Sequence, residues 1–338
     1  MSCVNVTDHP SPYSFRKPFR QDGLFAILDA TRFESLAATL RHSDLEYESL
    51  FSGEDALLLE AEAPFIVALE REKSDVWKPI LRYAQHRNAG ILVASKEDLG
   101  KVRRHWKKWL SVKIPDQEKP VLFRFYDPRV LLAFVMTLPP ADAAAFFGPV
   151  TDIAAYQKDN LQILTPQEDV ADHNPRPLGA LGGGLYSITP AQMQAMENVV
   201  SEEFQERIFG YFRTVWPRES IRFTDNQLKE QIHAAIRDAE FLGARREQDI
   251  FNIMHVRILR PDILLNDTGV MVRLLENEDN PKIRAGMLAG HLTHDFQSPE
   301  ERQYYNFQKY RFSLDGFGEG VDLGFQGETF PDLFLRHR

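Results

Sequence analysis

Cysteine is almost missing from this chain of 338 residues, with Cys3 the single example. An intramolecular disulfide framework is thereby excluded, as is a metal centre built from several thiolates, and a reducing compartment fits best. Long apolar runs are missing too. No stretch approaches the roughly 20 apolar residues that cross a bilayer. The opening residues also lack the basic start and apolar segment of a secretory signal. A cytoplasmic protein without membrane association is therefore expected. Cations are outnumbered, with 40 Lys and Arg against 49 Asp and Glu and a net charge of -9. That sign opposes sequence-independent nucleic-acid binding, which needs clustered cations to displace phosphate counterions. Familiar catalytic signatures are lacking as well: no Gly-x-Ser-x-Gly elbow, no Walker loop, and no Gly-x-Gly-x-x-Gly in the glycine clusters at 179–184 and 316–327. The expectation is a protein that is not an enzyme and takes no cofactor.

What remains is an ordinary globular composition. Apolar residues make up 43% and charged residues 26%, enough for a packed core, and the length suits about two domains. Residues 1–22 are polar and carry Pro10, Pro12 and Pro18, the pattern of an arm that docks or stays mobile. Over 23–150 short apolar runs alternate with helical patterns, the signal of an α/β layer fold. Strands are predicted at 24–28, 56–60, 65–69, 90–94 and 121–126. One helix is predicted over 76–86, where Trp77, Ile80, Leu81 and Ala84 share a face. Another follows Ser95, a suitable cap for the buried stripe Leu99, Val102, Trp106 and Leu110.

Residues 151–189 are broken by Pro166, Pro175, Pro177 and Gly182-Gly183-Gly184. They read as a junction with one short strand near 162–164 and a glycine hinge rather than a phosphate cradle. Over 190–312 the period turns helical. Met193, Met196, Val200, Phe204, Ile208, Tyr211 and Val215 follow the pair Thr189-Pro190 and stop at Pro217. A second helix begins at Asp225 and ends at Gly243, and more are predicted over 247–259, 281–289 and 299–312. Residues 313–338 mix Phe317, Phe325, Phe330 and Phe334 with glycines and read as an irregular, sticky tail. The expected fold class is an α/β N-terminal domain with a C-terminal α-helical lobe, α+β overall.

Three groups of residues invite a chemical reading. Arg124, Tyr126, Asp127 and Arg129 gather where a strand gives way to a helix, with Asp127 suited to the N-cap and Pro128 to the first helical position. Val121, Phe123 and Phe125 would share one strand face, and Leu122, Arg124 and Tyr126 the other. Ligands bind beyond the carboxyl ends of strands in open α/β sheets, so a binding site is one reading. The preferred alternative is a structural charge pair of Arg124 or Arg129 with Asp127. Lys101, Arg104 and Lys108, with Arg103 and Lys107, form a basic helix that suits either a solvated face or an acidic partner. His291 and His294, with Asp295 beside them, share a helical face but lack a visible third ligand. Surface or capping roles are expected, and no metal.

The run Phe123-Arg124-Phe125-Tyr126-Asp127-Pro128-Arg129-Val130-Leu131 resembles the hallmark of a bacterial family of type VI secretion effector adaptor-chaperones. Agreement extends to LFAILDA at 24–30, YESLFSG at 47–53, APFIV at 63–67, GILVAS at 90–95 and FFGP at 146–149. Their order and spacing resemble that family's N-terminal domain over about residues 24–150. The resemblance implies a non-catalytic protein whose partners are a cognate secreted effector and the spike protein of the secretion machine. It implies that the shared domain performs the common task while the lobe after residue 190 selects the cargo. Phe317, Phe325, Phe330 and Phe334 then suit either a hydrophobic partner surface or packing onto the chain's own helices. The alternative reading is a metal-dependent hydrolase built on His291, His294 and Asp295.

Overall fold

The computed structural model describes residues 3–9, 23–115, 117–157, 160–167, 184–244, 247–259, 276, 280, 284 and 335–337. The chain divides into a first unit, Met1–Val199 with Phe334–Arg338, and a second, Val200–Leu333. The architecture is α+β, with an N-terminal antiparallel sheet and helices in the C-terminal part. Among the described residues, no helix is long and apolar enough to cross a membrane.

The larger sheet has seven strands in the order β1-β9-β8-β5-β2-β4-β3. They are β1 (Val4–His9), β2 (Gly23–Asp29), β3 (Tyr47–Ser49), β4 (Pro64–Ala68), β5 (Gly90–Ser95), β8 (Val150–Gln157) and β9 (Asn160–Pro166). Every neighbouring pair is antiparallel. β2 runs between β4 and β5, with Ile27 opposite Ile66 on one side and Ile91 on the other. Its residues Leu24–Asp29 are all buried, which is why this strand reads as a continuous apolar run without alternation. Gly90 starts β5 because a Cβ there would sit 2.5 Å from the Ile27 carbonyl oxygen.

A smaller sheet orders β10 (Tyr186–Ser187), β6 (Ser111–Lys113), β7 (Val121–Phe123) and β11 (Leu335–His337). Around the two sheets lie helices α1 (Leu36–Arg41), α2 (Glu54–Leu58), α3 (Ser74–His86), α4 (Leu99–Lys107), α5 (Pro128–Val135) and α6 (Pro140–Phe147). The core beside the smaller sheet is aromatic. Trp106 stacks on Phe125 at 4.8 Å, Trp109 meets Phe146 edge-on at 4.8 Å, and Phe123 meets Phe134 at 4.8 Å. Such pairs add orientation preference to area burial.

Several elements depart from the sequence reading. The arm of residues 1–22 is docked in part, since Val4–His9 pairs with β9 as an edge strand. Residues 56–60 lie in α2 and the turn after it instead of a strand. Ser95 does not cap α4. It donates to the Pro149 carbonyl at 2.7 Å, and Asp98 caps the helix through the Lys101 N–H. Much of the supposed junction, 151–189, is the β8–β9 hairpin, so the sheet continues past residue 150. The tail of 313–338 contains β11, which pairs with β7. The helices expected over 281–289 and 299–312 fall almost wholly outside the described residues, as do Gly182 and Gly183.

The helices expected after Pro190, after Asp225 and over 247–259 form. α7 (Pro190–Val215) runs from the first unit into the second, α8 (Pro217–Ser220) follows, and α9 (Asp225–Phe241) opens on a capping box between Thr224 and Gln227. α10 (Glu247–Leu259) completes the described set. Phe204, Ile208, Leu228, Ile232, Phe251 and Met254 lie in one core cluster. Within it a polar relay runs from Trp216 Nε1 to the Tyr211 hydroxyl at 2.9 Å. That hydroxyl donates to His255 Nε2 at 3.0 Å, and His255 Nδ1 donates to the Phe251 carbonyl at 3.0 Å. Tyr211→Phe strips two buried groups of the hydroxyl they share and is expected to cost about 1–3 kcal/mol in urea unfolding.

His105 on α4 is the corresponding buried imidazole of the first unit. Its Nε2 donates to the Phe146 carbonyl at 2.7 Å, and the ring lies so close to Gly148 (φ +51) that a Cβ there would approach it to 2.4 Å. Burial, opposed by the bond to Phe146 and reinforced by Lys108, brings its pKa down to about 4. The unfolded chain therefore takes up a proton below about 6.5 that the native chain refuses until about 4. Stability contributed by this group is expected to fall by about 3 kcal/mol on acidification from pH 6.5 to 4. Urea midpoints across that range check it, because His105→Phe should flatten this part of the slope.

Candidate functional site

The strand-turn-helix segment after β7 carries the densest set of polar residues in the first unit's interior. β7 ends at Phe123, and Arg124 to Tyr126 belong to the turn, so the alternating faces expected for a strand over 121–126 do not arise. Every residue from Val121 to Val130 is buried. Asp127 caps α5 by accepting the Arg129 N–H at 3.0 Å, and Pro128 takes the first helical position, where its missing N–H costs nothing. Val130, Leu131, Phe134 and Val135 then enter the core.

Two hydrogen-bonded ion pairs are buried here. Arg129 grips Asp127 with two parallel bonds, Nε to Oδ1 at 2.9 Å and Nη2 to Oδ2 at 2.6 Å. Arg124 turns away from Asp127 and donates to Asp29 Oδ2, at the end of β2, while also reaching Thr31 Oγ1 at 3.0 Å. Thr31 completes the Asp29 shell with its N–H at 3.0 Å and its hydroxyl at 2.7 Å. A third guanidinium, Arg32, approaches Asp127 Oδ2 to 3.9 Å. The expected charge pair thus exists for Arg129. Asp29 and Arg32 escaped the sequence reading because their partners lie about 95 residues away.

The electrostatics follow from this crowding. Burial alone would raise both carboxyls. For Asp29 the attraction of Arg124 and Arg32 and the bonds from Thr31 and Arg124 outweigh it. For Asp127 the attraction and bonds of Arg129 do so, followed by Arg32 and Arg124. Both carboxyls end below their ordinary range and stay ionised. Arg32 is also lowered, to about 10, which for a cation disfavours the charged form: burial and repulsion from Arg129 and Arg124 outweigh the pull of Asp127 and Asp29.

The crevice rule for parallel sheets does not locate a ligand here, because the large sheet is antiparallel and β7 belongs to the smaller one. The other shared runs are also architectural. Arg103 of α4 donates to the carbonyls of Ser49 (2.6 Å) and Phe51 (3.1 Å) within 47–53 and pairs with Glu48. Ser95 and Pro149 join the runs at 90–95 and 146–149. On the exposed side of α4, Lys101 pairs with Glu97 at 2.6 Å and Lys107 reaches Ser52. Arg104 and Lys108 are exposed, with no ion pair among the described residues.

His291, His294, Asp295, Phe317, Phe325, Phe330 and Phe334 lie outside the described residues. Among the described residues no three His, Cys, Asp or Glu side chains gather in a way that would hold a metal ion.

Asp127→Ala removes a cap, worth about 0.5–2 kcal/mol, and takes away the carboxylate that Arg129 holds with two bonds, so a loss of about 3–5 kcal/mol is expected. Denaturant unfolding of the Asp127→Ala and Arg129→Met double variant should recover part of that loss. A loss no larger than the cap alone would show that the pair contributes nothing.

No curated protein and no solved structure matches the chain. The match that is found covers the stretch built around these buried runs: residues 24–145 fit the family model described as Domain of unknown function (DUF4123).

Proposed function

We propose that the protein is a non-catalytic, cytoplasmic adaptor-chaperone that binds one type VI secretion effector and helps load it onto the cognate spike protein. The observation that carries this is that two sequence likenesses fall on one stretch. The Phe123–Leu131 run and its companions resemble the adaptor family, and the family model matches at 24–145. The burial of Arg124, Tyr126, Asp127, Pro128 and Arg129 fits a scaffold role for the run. Partner recognition then falls to exposed groups. Arg104 and Lys108, on one face with Lys101, offer a cationic stripe on a chain of net charge -9, suited to steering an acidic partner.

Holding effector and spike at once makes the second association effectively intramolecular, so modest contacts suffice at each surface. Deleting the gene should abolish delivery of one effector while the machine goes on firing, and affinity capture with the full-length protein should recover that effector and the spike. Replacing Arg104 and Lys108 together by Glu should weaken capture of the acidic partner more than tenfold at low salt, with the effect shrinking as ionic strength rises. Delivery unchanged by the deletion would sink the adaptor reading.

A further inference from the structure

Among the described residues, the buried cluster at the end of β2 is one negative charge short. It holds three guanidinium groups, Arg32, Arg124 and Arg129, and two carboxylates, Asp29 and Asp127, none more than 8% exposed. Both carboxylates are engaged, Asp29 by Thr31 and Arg124, Asp127 by Arg129. Arg32 Nη2 stands 3.9 Å from Asp127 Oδ2, a long ion pair beyond hydrogen-bond range. Its Nε and Nη2 are buried without a hydrogen-bond partner. These two nitrogens form the side edge of the guanidinium, the edge through which Arg129 holds Asp127. The planar fork matches an oxyanion with two oxygens in one plane. Leaving both nitrogens without a hydrogen bond, beside two like charges, is unfavourable; burial and the repulsion of Arg129 and Arg124 lower its pKa.

We propose that the Nε–Nη2 edge of Arg32 is the seat for a carboxylate supplied by a partner polypeptide, from an Asp or Glu side chain or a C-terminus, which completes the cluster to three cations and three anions. Charge favours a carboxylate over a phosphate, since one negative charge balances the site and two would overshoot. The neighbouring Asp127–Arg129 pair shows the same geometry already made within the chain. Thr31 and Phe33, on either side of Arg32, are half-buried, and Glu34 and Ser35 are exposed. The backbone therefore reaches the surface within two residues of the fork, and access requires the Ala30–Arg32 turn to shift. The adaptor reading enters only as the source of the carboxylate.

Sodium acetate is the first probe, titrated into full-length protein with arginine side chains labelled by nitrogen-15, against sodium chloride at equal ionic strength. The expected result is a saturable displacement of the Arg32 Nε–Hε signal, together with a rise in melting temperature that chloride does not give. Arg32→Gln should fold with undiminished thermal stability, since it leaves two cations facing two anions, and should bind acetate at least tenfold more weakly. Arg32→Met serves the same purpose if the glutamine variant does not fold. No saturable response in the wild-type protein, an equal response in the variants, or tighter binding of inorganic phosphate than of acetate would each overturn the proposal. Peptides of one acidic sequence, with free or amidated C-termini, then separate a terminal carboxylate from a side-chain one. A normal acetate response in a protein that captures neither effector nor spike would overturn the adaptor reading and leave the site standing.

Discussion

Asp29 and Arg124 meet across about 95 residues of chain, one at the end of the central strand β2, the other in the turn that leads into α5. Both are withdrawn from water, so their attraction has to offset the desolvation of two ions. A pair of this kind adds little net stability over an apolar substitute, yet losing one partner strands the other at a cost of several kcal/mol. Its effect is to forbid alternatives. Any packing of the strand-turn-helix against the large sheet that fails to bring Arg124 to Asp29 leaves a buried charge exposed to its own desolvation. Thr31 and the Asp127–Arg129 pair, built from neighbours in the chain, complete the same lattice.

The aromatic core grows from that constraint. With Arg124 held toward β2, Phe123 and Phe125 flank it and reach Phe134 and Trp106, and α4 is fixed in turn through Trp106 and Trp109. The outer side of α4 is left to solvent, so the Glu48–Arg103, Ser52–Lys107 and Glu97–Lys101 links separate the helix's engaged cations from the rest. A helix that read in sequence as a uniform basic run thus carries two distinct sets of cations. Arg104 and Lys108 are exposed and have no ion pair among the described residues.

Legibility in the sequence followed the range of the interaction. The Asp127-Pro128 start of α5, the stripes of α3 and α4 and the long period of α7 were readable because cap and stripe lie within a few residues of each other. The Asp127–Arg129 pair was readable for the same reason. Asp29 and Arg32 were not, since nothing within β2 announces partners beyond residue 120. Val4–His9 looked like an arm because Asn5 to Asp8 are all exposed and show no apolar alternation, and only pairing with β9 identifies the strand. The β8–β9 hairpin was hidden by Pro166 at its end and by the proline- and glycine-rich stretch that follows. Residues 56–60 show the opposite error: a short apolar run without periodicity suits a helix as well as a strand.

The pairing of β11 with β7 joins Leu335 to Phe123, about 210 residues earlier. The second unit, Val200–Leu333, is therefore an insertion within the first. During synthesis the smaller sheet has an open edge at β7 from the moment residue 123 emerges, and it keeps that edge until residue 335 has followed. Closing so long a loop is slow compared with local helix formation, and an unpaired strand edge is a template for foreign strands in the meantime. Vectorial synthesis thus gives the inserted helical unit time to fold first, and makes the last strand the step that seals the first unit.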